Sequence, residues 1–377
     1  MRFLKFGLLF FMFFSIEARS EIQFQCSTNV VELKRDISAY FQELNISADL
    51  VAWRINKHGT VLNMALTTPS TDHTTTDFYK RAEFGITKEN VNLIGSDGRE
   101  IVVSTVSKKE IVLALLQHGR TTVFGRSDCY LDRLSDHVGV RQNVTAWAEN
   151  LNWRWPEGTP AEWNYKYWYR GTPHAGVDLT EALLNAFVEQ DRYSIGCYTG
   201  TKIVFAHAML DYYLRVKKDL QRGDLVKKSL EIDGDPLVDV EPHRMWSFEP
   251  DFNPRERNRT GKILQLTKNV LASNFVPGDW AYIVNTDPLS RNKVGYEGSN
   301  AIYLGLNRFD DYYNDNDHSY TYEQKIDEVY QWRNGVFSRS HDAAKIRPLN
   351  EQAIFRLGKT PSLGGLVLNI RVVPRYF

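Results

Sequence analysis

Beyond its first twenty residues, this chain of 377 residues has no apolar run long enough to cross a bilayer, so no membrane span is expected in the mature protein. Net charge is missing too: 46 Lys and Arg balance 46 Asp and Glu, and no basic run is interleaved with aromatics, so nothing favours nucleic acid. Repeats and low-complexity tracts are absent. The acidic cluster Asp310–Asp317 lacks the glycine and terminal glutamate of a calcium-binding EF-hand loop and reads as a solvated loop. No metal and no cofactor is expected. Cysteine is scarce, at three residues.

What is present is a large apolar fraction, 42% hydrophobic and 13% aromatic, enough to bury a sizeable core. The length suggests about two domains. Residues 1–20 read as a signal peptide: Arg2 and Lys5, the apolar run Gly7 to Ile16, then Ala18-Arg19-Ser20 as a small-x-small cleavage site. No lipobox precedes Cys26. The mature chain is therefore expected to be exported: periplasmic, cell-surface or secreted. In such a compartment three cysteines suggest one disulfide and one thiol. Cys26 and Cys129 are the natural pair, leaving Cys197, although a pairing of Cys197 with either of them stays open.

The pattern along the chain predicts a small α+β unit over 21–140. Val30, Leu33, Ile37 and Phe41 recur at helical spacing, so residues 29–43 read as a helix. Short strands are expected near Leu50–Trp53 and Val61–Leu66, and a buried strand at Ile101–Val106. Ser107 with Glu110 three residues on suggests a capping box for a helix reaching His118. Residues 140–170 hold Trp147, Trp153, Trp155, Trp163 and Trp168 among tyrosines, fitting either an aromatic seam between domains or the lining of a peptide or glycan groove. Helices are expected over about Thr180–Glu189, from Cys197 to about Lys218, and over Ile326–Val336; Asp219–Asn274 reads as charged and loop-rich. Trp280–Val284 and Asn300–Leu304 read as strands, most naturally antiparallel. Asn45, Asn143 and Asn258 stand in glycosylation sequons, meaningful only in a eukaryotic host.

Cys197 is the most telling residue. It opens a helix in which Ile203, Ala206, His207, Leu210 and Leu214 share one face, and Gly196 and Gly200 leave room beside the sulfur. The unpaired amides and positive dipole of a helix start favour thiolate, the nucleophilic form. His207, ten residues further along, reads as a core histidine.

Three segments together resemble the bacterial protein-glutamine γ-glutamyltransferases of the spore-coat type: Thr180–Leu183 through Arg192-Tyr193-Ser194-Ile195-Gly196-Cys197-Tyr198-Thr199, then Gly278-Asp279 with the Tyr282 strand, then Tyr296-Glu297-Gly298-Ser299-Asn300-Ala301-Ile302-Tyr303-Leu304-Gly305. The resemblance covers roughly 165–340 and leaves the N-terminal unit outside it. It implies an α+β fold with a papain-like core, the cysteine at a helix N-terminus packed on an antiparallel sheet, within a domain spanning 141–377. It also implies Cys197 as nucleophile toward a glutamine donor, with an amine acceptor resolving the thioester. The family's glutamate before the cysteine is here Gly196, and its glutamate before the asparagine is Ser299. The family's histidine, counted without a gap, falls on Tyr312; with an insertion it falls on His318. His318 and Glu297, the latter two residues before Ser299 on an extended strand, are the candidate proton-transfer groups. The same segments are also similar to cell-wall cysteine amidases and endopeptidases, which would make cell-wall material the partner. A catalytically dead binding module is the third alternative.

Overall fold

The computed structural model describes residues 22–68, 74–117, 121–156, 159–232, 264–268, 270–285, 298–310, 312–314, 319–333, 343–357 and 367–372. The expected signal peptide, Glu297 and His318 lie outside these residues, as do His118 and Asn258.

The chain begins with β1 (Ile22–Gln25), α1 (Val31–Glu43), β2 (Val51–Ile55), β3 (Val61–Leu66), β4 (Glu89–Ile94), β5 (Glu100–Thr105), α2 (Lys108–Leu116) and β6 (Thr122–Phe124). Strand order in the first sheet is β2-β3-β1-β6, with β6 parallel to β1 and the other pairs antiparallel. α1 buries the stripe Leu33, Ile37 and Phe41 against this sheet's core. Period-two alternation in β3 turns Leu62, Met64 and Leu66 inward. The Ser107 hydroxyl caps α2 by accepting the Glu110 N–H at 3.2 Å. Glu110 does not complete the box; its Oε1 accepts the Leu306 N–H at 2.7 Å instead. A disulfide joins Cys26 to Cys129, and Cys197 stays outside it.

α3 (Leu131–Glu149) follows and runs without a break through the expected boundary at residue 140. Leu134 and Val138 belong to the N-terminal core, while Val144 and Trp147 belong to the central one. One helix therefore serves two cores.

Next come β7 (Trp168–Tyr169), β8 (Thr172–Pro173), α4 (Leu179–Val188), α5 (Cys197–Asp211), α6 (Leu220–Ile232), β9 (Gln265–Lys268), β10 (Trp280–Val284), β11 (Gly298–Gly305), β12 (Arg308–Asp310), β13 (Ser319–Thr321), α7 (Tyr322–Arg333), α8 (Glu351–Leu357) and β14 (Val367–Val372). The larger sheet has the order β13-β12-β11-β10-β14-β9 with every pair antiparallel. Trp280 stands opposite Ile302, and Tyr282 opposite Asn300. α5 packs on one face of β11, and α7 on the other. The fold is α+β, with a cysteine-headed helix against an antiparallel sheet, as a papain-like core requires.

Several expectations are corrected. α5 is not a one-faced helix: residues Gly200 to Asp211 are all buried, because α3, α4, α6 and β11 surround it. Within Asp219–Asn274 the chain forms α6 and β9. β5 is half-buried with Val102 exposed, because it pairs in a two-stranded hairpin with β4 and only one face meets the core. Asp310 is fully buried in β12 rather than solvated. Asn143 is buried in α3, where its Nδ2 donates to the Ala208 carbonyl at 2.8 Å and to Asp211 at 3.0 Å, so its sequon is closed to glycosylation in the folded chain.

Candidate active site

Cys197 is the first residue of α5, with Gly196 in extended backbone before it. Four N–H groups at a helix start have no intrahelical acceptor, and glycine offers no side chain to cap them. A Cβ added at Gly196 would meet nothing within 4 Å, so the space beside the sulfur expected from sequence is there. Gly200 has a different duty: its Cα packs against buried Trp153, whose ring would lie 3.3 Å from an added Cβ. Cys197 itself is half-buried.

The sheet reaches the sulfur through Asn300. Asn300 Nδ2 donates to Cys197 Sγ at 3.7 Å, and Trp280 Nε1 donates to Asn300 Oδ1 at 2.9 Å. Ser299, its neighbour on β11, faces the opposite side, where its hydroxyl accepts from the buried Lys325 Nζ at 3.2 Å. Lys325 also pairs with Glu328 at 3.0 Å on α7. Strand alternation thus sends the asparagine to the cysteine and the serine away from it.

Trp280 is fully buried against Tyr198 and Phe205, with ring centroids 5.4 and 6.1 Å away. Its strand starts from a fixed point. Asp279 and Arg141 form a fully buried ion pair at 2.8 Å, and Arg141 also donates to the Pro277 carbonyl at 3.0 Å. The Val276 N–H donates to the second Asp279 oxygen at 2.9 Å. Gly278 is left-handed, φ +81°, and lies so close to α3 that a Cβ would come within 2.9 Å of the Arg141 carbonyl. The Gly-Asp pair read in the sequence is a joint between α3 and the sheet.

Tyr312 is brought under the first turn of α5. Its hydroxyl lies 2.8 Å from Thr201 Oγ1, which donates to the Cys197 carbonyl at 2.8 Å. Its backbone is left-handed, φ 66°, uncommon for an aromatic residue. Trp153 N–H donates to the Tyr312 carbonyl at 2.8 Å, and the Tyr313 hydroxyl donates to the Ile195 carbonyl at 2.7 Å. These contacts clasp the turn that leads into Cys197. The tryptophan-rich segment completes the clasp. Glu162 and Ser194 exchange backbone hydrogen bonds at 2.8 and 3.1 Å. Trp147, Trp153 and Trp168 are fully buried in the central core, while Tyr165 and Tyr169 are exposed.

His207 is a core residue as expected, 2% exposed, edge-on to Trp147 and stacked on Phe187. Burial pushes its imidazole down to about 4. Among the described residues no cluster of His, Cys, Asp or Glu could hold a metal. Of the predicted site residues, Cys197 is placed; Glu297 and His318 lie outside the described residues. The sequence alone does not disclose what Asn300, Trp280 and Tyr312 do at the site. The Gly-x-Asn and Gly-Asp motifs were the signal for the first two.

The family model for protein-glutamine gamma-glutamyltransferase matches residues 104–335, more than half of the chain. The chain belongs to this family. The γ-glutamyltransferase match begins within β5 and so takes in α2 and α3 as well as the sheet around Cys197. Among solved structures, the transglutaminase from Geobacillus stearothermophilus (without C-terminal extension) is similar at 17% identity and a TM-score of 0.35, over 64% of this chain and 93% of that one. No curated protein matches. Membership makes this a glutamine-acting acyltransferase in broad class. No helix among the described residues is long and apolar enough to cross a membrane.

Proposed function

We propose that this protein is an exported cysteine acyltransferase that works through a thioester on Cys197. The observation that carries this reading is a half-buried cysteine, kept out of the disulfide, at the first position of a buried helix and facing a sheet amide. The thiolate attacks the carboxamide carbon of a protein glutamine. Its electron pair forms the C–S bond while the carbonyl electrons move to oxygen. Collapse of that oxyanion breaks the C–N bond, and the leaving nitrogen takes a proton and departs as ammonia. A lysine amine then displaces the sulfur to form an isopeptide bond, or water does so to give glutamate. Proton transfer falls to His318 or Glu297, for which the sequence resemblance is the support.

Export is proposed on the residue 1–20 pattern, and the Cys26–Cys129 disulfide supports it, since such bonds persist in oxidising compartments. N-terminal sequencing of the mature protein should start at Glu21.

The test is the pH dependence of Cys197 alkylation in the mature protein, with Cys197→Ala as blank. The expected result is a thiol that titrates well below the ordinary value of about 8.5. Incorporation of a fluorescent primary amine into a glutamine-rich protein, with ammonia release, should then vanish in the same variant. An inert thiol would sink the enzyme reading in favour of a binding module. Digestion of purified sacculi without amine incorporation would point to cell-wall hydrolysis.

A further inference from the structure

We propose that Asn300 is a catalytic residue, the donor that holds the Cys197 thiolate, and that Trp280 is the positioning residue that aims it. The proposal rests on Cys197 being the nucleophile and adds the group that acts on its sulfur.

Trp280 Nε1–H can donate and cannot accept. The Asn300 atom facing it at 2.9 Å must therefore be the carbonyl oxygen. That fixes the amide, whose two ends otherwise look alike, and turns the Nδ2 donors toward Cys197 Sγ, 3.7 Å away. A neutral thiol is a weak acceptor, so a buried amide aimed at it gains little. A thiolate is a charged acceptor, for which such bonds are about twice as strong as neutral ones. The geometry is matched to the ionised sulfur.

The aim is held from both ends. Asn300 is 7% exposed, fixed in β11 opposite Tyr282. Trp280 is buried between Tyr198 and Phe205 and follows directly on Asp279, whose ion pair with Arg141 anchors the strand. The Asp279 carbonyl accepts the Tyr303 N–H at 2.9 Å, which ties the start of β10 to β11. The strands that follow Gly-Asp and carry Gly-x-Asn thus cooperate at one sulfur, Trp280 aiming the amide and Asn300 touching Cys197. Asn300 transfers no proton; an amide cannot. It stabilises the negative sulfur before attack, so that more of the protein carries the reactive form at neutral pH.

The experiment is alkylation of Cys197 by iodoacetamide as a function of pH in wild type, Asn300→Ala, Asn300→Asp and Trp280→Phe. The thermal midpoint of each variant is followed alongside. Asn300→Ala should raise the apparent thiol pKa by about one unit and, at pH values below both pKa values, slow alkylation about tenfold. Asn300→Asp should raise it further, because a carboxylate beside the sulfur opposes the thiolate. Trp280→Phe keeps the ring packing and removes the N–H, so it should shift the profile in the direction of Asn300→Ala by a smaller amount. A merely structural role would lower the midpoints and leave the pH profile of the folded fraction where it was. Unchanged profiles in Asn300→Ala and Trp280→Phe, against a depressed wild-type value, would overturn the proposal and leave Cys197 as nucleophile. A wild-type thiol with an ordinary pKa would overturn both.

Discussion

At the scale of single residues, two buried ionisable groups set opposite edges of the pH range. His207 sits between Trp147 and Phe187 with neither ring nitrogen hydrogen-bonded. Burial holds its folded pKa at about 4, below the unfolded value of 6.5. A depressed folded pKa means that the unfolded chain binds the proton first, so stability is full above 6.5 and is lost as pH falls toward 4. A shift of this size corresponds to about 3 kcal/mol. Glu110 does the reverse. Burial pushes its carboxyl up to about 8, with the Leu306 N–H pulling it down, and Oε2 is left without a partner. Its contribution is full below the unfolded value and is lost as pH rises through about 8. The two losses oppose each other between pH 4.5 and 6.5, so urea midpoints should stay nearly level there and fall from 6.5 to about 8. His207→Phe should make the fall begin near 4.5, and Glu110→Gln, which keeps an acceptor for Leu306, should abolish it and leave a loss only below 6.5. A wild-type midpoint that shows no fall above 6.5 would contradict the Glu110 assignment.

At the scale of elements, the turn before β10 is the piece on which the site depends. Gly278 combines a left-handed backbone with an approach to α3 that leaves no room for a methyl group. Gly278→Ala should destabilise the protein by about 2–4 kcal/mol, from the backbone penalty plus displacement of Arg141. Displacing Arg141 disturbs a buried charge that pairs with Asp279 at 2.8 Å, and one-sided disruption of such a pair is costly. The same variant should slow Cys197 alkylation, because Trp280 moves with the turn. A stability equal to wild type would mean that α3 and the sheet are not joined here. Much of this level is legible in advance. Gly-Asp before an aromatic strand announces a turn, and Gly-x-Asn after a loop announces its partner. What the motifs do not announce is their target, since Arg141 is more than a hundred residues away and inside a helix.

At the scale of the whole molecule, α3 is shared by two cores. Its first half belongs to the core that the Cys26–Cys129 disulfide ties together, and its second half to the core around α5. The bond closes a loop of 103 residues, for which chain-entropy arguments give about 4–5 kcal/mol and practice about 2–5. Replacing both cysteines by alanine should lower the thermal midpoint accordingly while Cys197 alkylation of the folded protein keeps its pH profile. A profile that shifts with the disulfide would show that the N-terminal unit bears on the site. The sequence by itself determined one disulfide and one thiol from three cysteines, the amphipathic α1, the strand pair β10–β11, and the start of α5 at Cys197, because each follows from cysteine count, local spacing or residue type; which two cysteines pair was decided by the tertiary structure. Tertiary structure alone decided the rest. Alternation along β11 follows from strand geometry and not from its residue types, since Ser299 and Asn300 are adjacent polar residues in a strand buried on both faces; which parity faces the cysteine depends on how α5 and α7 clasp the sheet, and they turned Asn300 to the sulfur and Ser299 away. The burial of α5 all round, and of Asp310 among apparent loop acids, has the same cause: accessibility is a property of neighbours, and most of those neighbours come from far along the chain.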